Sequence, residues 1–158
     1  MPLKVFIDTE FTDFNDPYLI SIGMAAASGE EFYAEVPYPA HACSAFVRET
    51  VIPLLGRLPD STCSLTELRD KIIHWLACIN PDNKEVEICF DYQTDWDLFG
   101  DALGSRMPTW CRGRMIARNI NKLIRYEFHK KHNLPEHHAL YDAMANRYAF
   151  RERSSATS

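Results

Sequence analysis

The sequence predicts an α/β domain that opens with three adjacent antiparallel strands and continues in helices. Three observations predict it. β-type runs occupy residues 3–9, 18–27 and 31–36; a capped amphipathic run of about 15 residues starts at Leu65; and the strand-like run Glu87 to Asp91 hands over directly to a helical segment. A chain of 158 residues with 46% hydrophobic content fits one domain over 1–150, large enough to bury roughly 70% of its unfolded surface. The polar residues 151–158 are expected to fray.

The elements follow in order. Ser28-Gly29 joins the second and third β runs as a hairpin turn signal, and Pro37 and Pro39 lead out of the third. A helical segment lies near Ser44 to Ile52, ended by Pro53. Ser64-Leu-Thr-Glu67 is a capping box, and Leu65, Leu68, Ile72, Ile73, Leu76 and Ile79 continue it as one apolar face. After Asp91, either Asp95 or Thr94 is placed to cap a helix that runs through Leu103 and closes at Gly104. A basic helix is expected over Met115 to Lys130, with Ile116, Ile120, Leu123, Ile124 and Phe128 inward, and a last helix from about His138 to Phe150.

Composition narrows the class. No apolar run approaches the ~20 residues of a membrane span, and the chain goes straight into a strand without a signal peptide, so a soluble, cytoplasmic protein is expected. The five cysteines are odd in number, widely spaced and never in C-x-x-C form. That argues against a disulfide framework and against a zinc cluster. The net charge of −5 is unevenly divided: residues 1–105 hold six Lys and Arg against 18 Asp and Glu, whereas 106–132 hold eight against one. A carboxylate pocket beside a phosphate-contacting surface has this pattern, as does a merely solvated basic helix.

The most informative feature is Asp8-Thr-Glu10 in the first strand. Side chains alternate along a strand, so both carboxylates project from one face. Two stacked anions need neutralising, and Lys4 is the one basic residue in the strand. A divalent cation with oxygen ligands is the expected answer. Asp91, Asp95 and Asp97 gather where the later strand becomes a helix, and Asp142 falls in the first turns of the last helix. His137 precedes Asp142 by five residues, which on a continuous helix would set them about 140° apart. They converge only if His137 lies on the lead-in loop. Pro135 makes that boundary reasonable, and His138 is the neighbouring alternative.

Asp8-Thr-Glu10, an Asp at a strand-to-helix junction and His137-His-Ala-Leu-Tyr-Asp142 together resemble the three motifs of the DEDD exonucleases that carry a histidine in motif three. Leu19-Ile-Ser-Ile-Gly23, Tyr33-Ala34, Val47-Arg48 and Val51-Ile-Pro-Leu54 are similar to the family of the mycobacterial polyadenylate-specific 3′-to-5′ exoribonuclease. The resemblance implies a ribonuclease H-like fold, a mixed central sheet flanked by helices. It also implies two Mg²⁺ or Mn²⁺ ions held by Asp8, Glu10, Asp95 and Asp142, with Asp8 bridging and His137 as general base. Motif two favours Asp95, with Asp91 as its rival, because Asp91 stands where many members have Asn. Asp97 is expected to face solvent.

The activity so implied is hydrolysis of the 3′-terminal phosphodiester of single-stranded RNA or of 3′ overhangs, releasing 5′-mononucleotides. Phe11 would pack on the terminal nucleotide, and Arg112, Arg114 and Arg118 would contact the phosphate backbone, in cis or across a homodimer. An exodeoxyribonuclease, a metal-dependent endonuclease on the same fold and a catalytically silent nucleic-acid-binding module are the alternatives.

Overall fold

The computed structural model describes residues 1–153. Its centre is a five-stranded mixed sheet in the order β3-β2-β1-β4-β5, formed by β1 (Leu3–Phe11), β2 (Leu19–Ala26), β3 (Glu31–Glu35), β4 (Val86–Phe90) and β5 (Cys111–Met115). The first three strands are antiparallel neighbours, as the hairpin signal at Ser28-Gly29 predicts, while β4 and β5 run parallel to β1. β2 is buried along its whole length. That accounts for its unbroken apolar run, since a central strand with both faces covered has no need to alternate.

Helices cover both faces. Val5 and Ile7 of β1 project into the larger core with Leu68, Ile72 and Leu76 of α2 (Leu65–Ile79) and Leu98, Phe99 and Leu103 of α3 (Gln93–Leu103). The opposite face of β1 carries Phe6 into a second cluster with Cys89, Ile116, Ile120 and Ala149, beneath α4 (Lys122–His132) and α5 (Ala139–Ala149). α2 follows its capping box: Ser64 Oγ accepts from the Glu67 amide at 3.1 Å, and the Glu67 carboxylate accepts from the Ser64 amide at 3.0 Å. Leu65 departs from the apolar face and is exposed.

Three local expectations are corrected. The first helix, α1 (Ala45–Thr50), ends before Pro53, which sits instead inside a 3-10 turn at Ile52–Leu54. α3 is entered at Tyr92 with no side-chain cap, because the Asp95 carboxylate is engaged by Thr9 on β1 rather than by its own helix. A long-range partner has displaced the local one. The basic segment is not one helix: Cys-Arg-Gly-Arg-Met forms edge strand β5, Ala117–Asn119 a 3-10 turn, and α4 begins only at Lys122 with Asn121 as its cap. Charged residues on a short edge strand are a common defence against edge-to-edge pairing. Only Met115 of this strand falls within the expected helix, and with just Cys111 buried the strand has no apolar run to announce it. Gly113 has a further reason to be glycine, since a Cβ there would fall 2.8 Å from the Trp96 ring.

Of the tail expected to fray, Arg151 still hydrogen-bonds Asn119 through its amide, and Glu152 pairs with Arg114 and Lys4. The remainder of that expectation, residues 154–158, lies outside the described residues. No helix among the described residues is long and apolar enough to cross a membrane.

Candidate metal centre

Asp8 and Glu10 project from the same face of β1 near its C-terminal end, opposite Gly23 and Ser21 of β2. A bulge between Glu10 and Phe11 ends the regular pairing there, the kind of irregularity that re-aims a side chain at a strand end. Onto this face comes the start of α5. It approaches so closely that a Cβ on Gly23 would collide with the backbone of Ala139 and Leu140. The missing side chain at Gly23 thus brings Asp142, in the first turn of α5, over its neighbours on β1.

Two carboxylate triads result: Asp8, Glu10 and Asp142 form one, and Asp8, Asp91 and Asp95 the other. Within each, one oxygen per residue lies within 4.8 Å of the other two. Asp8 belongs to both. Asp91 directly follows β4 and Asp95 lies in the first turn of α3, so the second triad joins the C-terminal ends of two parallel strands to the start of a helix. One oxygen of Asp95, Oδ1, accepts from both the amide (3.2 Å) and the hydroxyl (2.6 Å) of Thr9. Asp97 is exposed and accepts from Gln93, as expected of a residue on the solvent side.

Crowding and desolvation work against four simultaneous negative charges. Burial, followed by Asp95, Asp142, Glu10 and Asp91, raises the Asp8 carboxyl well above the ordinary range. Burial, with Asp142 and Asp95, pushes Glu10 up to about 9. Asp142 is raised to about 8 and Asp95 to about 7, each chiefly by burial and each partly offset by a hydrogen bond, from the His137 amide and from Thr9 respectively. Carboxylates that repel one another this way are suited to a multivalent cation. The donor set is oxygen throughout, which suits hard ions such as Mg²⁺ and Mn²⁺.

His137 lies outside the helix, as the five-residue spacing requires. It adopts a left-handed φ of 68°, and its amide donates to Asp142 Oδ2 at 3.1 Å. Its ring borders a cavity of about 190 Å³ together with Asp8, Asp91 and Asp142, and Phe46 meets it edge-on at 5.0 Å. His138 is the less suitable neighbour. It is buried between Tyr33 and Tyr141, with ring centroids 4.5 and 3.9 Å away, and burial, then Arg57, lowers it to about 4.

The remaining expected site residues are placed as follows. Phe11 adjoins Glu10 and packs edge-on against Phe14 at 5.2 Å, and Phe14 in turn against Tyr92 at 5.6 Å. Phe14 and Tyr92 are exposed and form an aromatic rim beside the acids. Arg112 and Arg114 lie on β5, where Arg112 faces Glu85 and Arg114 pairs with Glu87 and Glu152. Arg118 is exposed on the 3-10 turn after it. None of the three arginines borders the acidic cavity.

The arginine that does is Arg125. Its guanidinium bridges Asp91 Oδ2 at 3.0 Å and Asn146 Oδ1 at 3.1 Å. His129, one turn further along α4, sets Nε2 3.4 Å from Asp142 Oδ1 and Nδ1 2.9 Å from the Leu134 carbonyl. A carbonyl can only accept, so Nδ1 carries a hydrogen and Nε2 is turned towards Asp142. Sequence reading missed Arg125, His129 and Asn146. The signal was the four-residue spacing of Arg125 to His129 and of Asp142 to Asn146 within the two expected helices; which neighbours those faces meet is shown only by the packing of α4 on α5. No protein-family model matches the chain, and no curated protein matches it.

Proposed function

We propose that the protein is a two-metal-ion 3′-to-5′ exonuclease on a ribonuclease H-like fold, of the DEDD type with a histidine in its third motif. Its substrate is the 3′ end of single-stranded RNA and its product a 5′-mononucleotide. The observation that carries this reading is the sharing of Asp8 between two carboxylate triads with His137 on the same cavity. The sheet, with three antiparallel strands followed by two parallel to β1, is compatible with the fold.

Glu10 and Asp142 would hold one ion with Asp8, and Asp95 the other, assisted by Asp91. Bound there, Mg²⁺ or Mn²⁺ supplies Lewis acidity and a water of lowered pKa. The chain's own contribution is positional and acid-base. Thr9 fixes Asp95, the His137 amide fixes Asp142, and Gly23 lets the two halves of the site meet. The His137 ring takes the proton of the attacking water as its oxygen bonds to phosphorus, a role worth typically ~10²–10⁴-fold in rate. The bond from phosphorus to the 3′-oxygen of the penultimate nucleotide breaks, and that oxygen leaves with a proton from solvent. The rim of Phe11, Phe14 and Tyr92 offers an aromatic surface for the terminal base or sugar.

Incubation of 5′-labelled single-stranded RNA, and of a DNA of the same sequence, with the protein and Mg²⁺ or Mn²⁺ tests this. A ladder shortening from the 3′ end, faster on RNA, is the expected result. Internal cuts would identify an endonuclease, faster shortening of DNA an exodeoxyribonuclease, and binding without cleavage a silent module.

A further inference from the structure

Next to the acidic cavity lies a second, larger cleft of about 520 Å³, and the two share His129 and Glu136 as a common wall. The size falls in the ~300–1,000 Å³ range of sites that hold small ligands. Beyond that wall it is lined by Asn133, Leu134 and Pro135 and by three residues that differ in character from the acids, Arg57, Tyr126 and Lys130. α4 explains the division. Arg125 and His129 are four residues apart and face the carboxylates, while Tyr126 and Lys130, also four apart and one residue further round, line the cleft. Lys130 Nζ sits 5.4 Å from the Tyr126 ring centroid, and that ring is half exposed. Arg57 comes from a separate segment, on a loop tied down by the Gly56 amide donating to the buried Glu35 carboxylate at 2.9 Å. Among the described residues neither Arg57 nor Lys130 makes an ion pair, unlike Arg106, Arg112, Arg114, Arg125 and Arg147.

We propose that this cleft seats the nucleotides immediately 5′ of the bond to be cut, with Arg57 and Lys130 on successive phosphates and Tyr126 as the stacking platform for a base. The assignment rests on the exonuclease reading and adds to it a substrate of several nucleotides rather than a dinucleotide, and a direction for the strand across the site. Unpaired cations lining one cleft with an exposed aromatic ring are the elements of sequence-tolerant binding to single strands. A negatively charged strand that must end among carboxylates gains most from cations placed one step before them. Arg112 and Arg114, by contrast, are already neutralised at the sheet edge.

The test is fluorescence anisotropy with a 5′-labelled RNA octamer and with the labelled dinucleotide, Ca²⁺ replacing Mg²⁺, across a salt series. The wild-type chain is expected to bind the octamer at least about tenfold more tightly than the dinucleotide. Arg57→Glu/Lys130→Glu should lose most of that advantage, and Arg57→Gln/Lys130→Gln a smaller part. The logarithmic salt slope should fall by roughly 1.4, from two phosphate contacts at about 0.7 each. Tyr126→Ala should weaken the octamer by about fivefold or more. Undiminished octamer binding by the double variants, or a loss produced only by Arg112→Glu/Arg118→Glu, overturns the cleft assignment, as does equally effective competition by poly-glutamate. Failure of the exonuclease reading would look different: octamer binding through the cleft with no 3′ shortening in Mg²⁺ or Mn²⁺.

Discussion

Asp91 and Asp95 differ in what already holds them, and the difference separates their roles. Asp91 is paired with Arg125, a fixed cation that removes part of its need for a metal. Asp95 is buried, has no ion pair among the described residues, and has one oxygen committed to Thr9. Its second oxygen is the one left for the shared site. Asp95→Asn should therefore abolish hydrolysis and weaken Mn²⁺ binding about a hundredfold, while Asp91→Asn should reduce the rate about tenfold or less. Calorimetric titration of Mn²⁺ beside a rate measurement checks both, and the opposite order would make Asp91 the ligand. His137 makes a different demand. If its ring only moves a proton, His137→Ala should leave Mn²⁺ affinity within a few-fold and cut kcat by ~10²–10⁴. Unchanged kcat would remove it from the mechanism.

The elements that build the site differ in how openly the sequence declares them. β1 was legible because two carboxylates in an apolar strand violate the usual preference, and the capping box at Ser64 wrote α2 in local chemistry alone. Alternation on one strand marks Asp8 and Glu10 as ligands, whereas Asp95 and Asp142 follow only from the resemblance; folding does bring both into triads that share Asp8. β5 and the true start of α4 were not legible. The basic helix expected from Met115 leaves Cys111 to Arg114 unassigned, and only pairing with β4 and the seat for Trp96 at Gly113 give that segment its extended form. Arg125 and His129 fall inside the expected basic helix, but nothing in the sequence says that their face packs against Asp91 and Asp142. The contact between β2 and α5 is likewise invisible in sequence, since a glycine in an apolar run does not say what lies on it. Gly23→Ala tests its weight. Overpacking of this kind costs roughly 1–3 kcal/mol, and a clash with backbone belongs at the upper end. The variant should melt lower and, because Asp142 rides on α5, bind Mn²⁺ at least tenfold more weakly. Lower stability with unchanged Mn²⁺ affinity would show that α5 is not what positions Asp142.

At the scale of the molecule, charge segregation concentrates its cost at one point, and the cost has a definite sign with pH. Unfolded carboxyls titrate near pH ~4, whereas Glu10, Asp142 and Asp95 are held up to about 9, 8 and 7 in the folded, metal-free chain. Between these limits the folded state binds more protons than the unfolded one. The contribution of the cluster to stability is therefore fully present below pH ~4 and is lost as pH rises through 7 to 9. A cation reverses the balance, because it binds the deprotonated site and must displace the protons first. Two outcomes follow for thermal melts. Without metal, Glu10→Gln should melt above the wild-type chain at pH 8.5 and lose most of that advantage at pH 5, since at pH 8.5 folding makes Glu10 take back a proton that the unfolded chain has given up, whereas the amide is neutral in both states. With saturating Mn²⁺ the order should invert at pH 8.5, the wild-type chain gaining more than the variant, and the gain on adding Mn²⁺ should shrink steadily towards pH 5. A metal-induced rise in melting temperature that is flat from pH 5 to 8.5 would mean that the cation binds away from these carboxylates. A Glu10→Gln chain less stable than wild type at high pH without metal would mean that the four acids do not repel one another as their burial and spacing require.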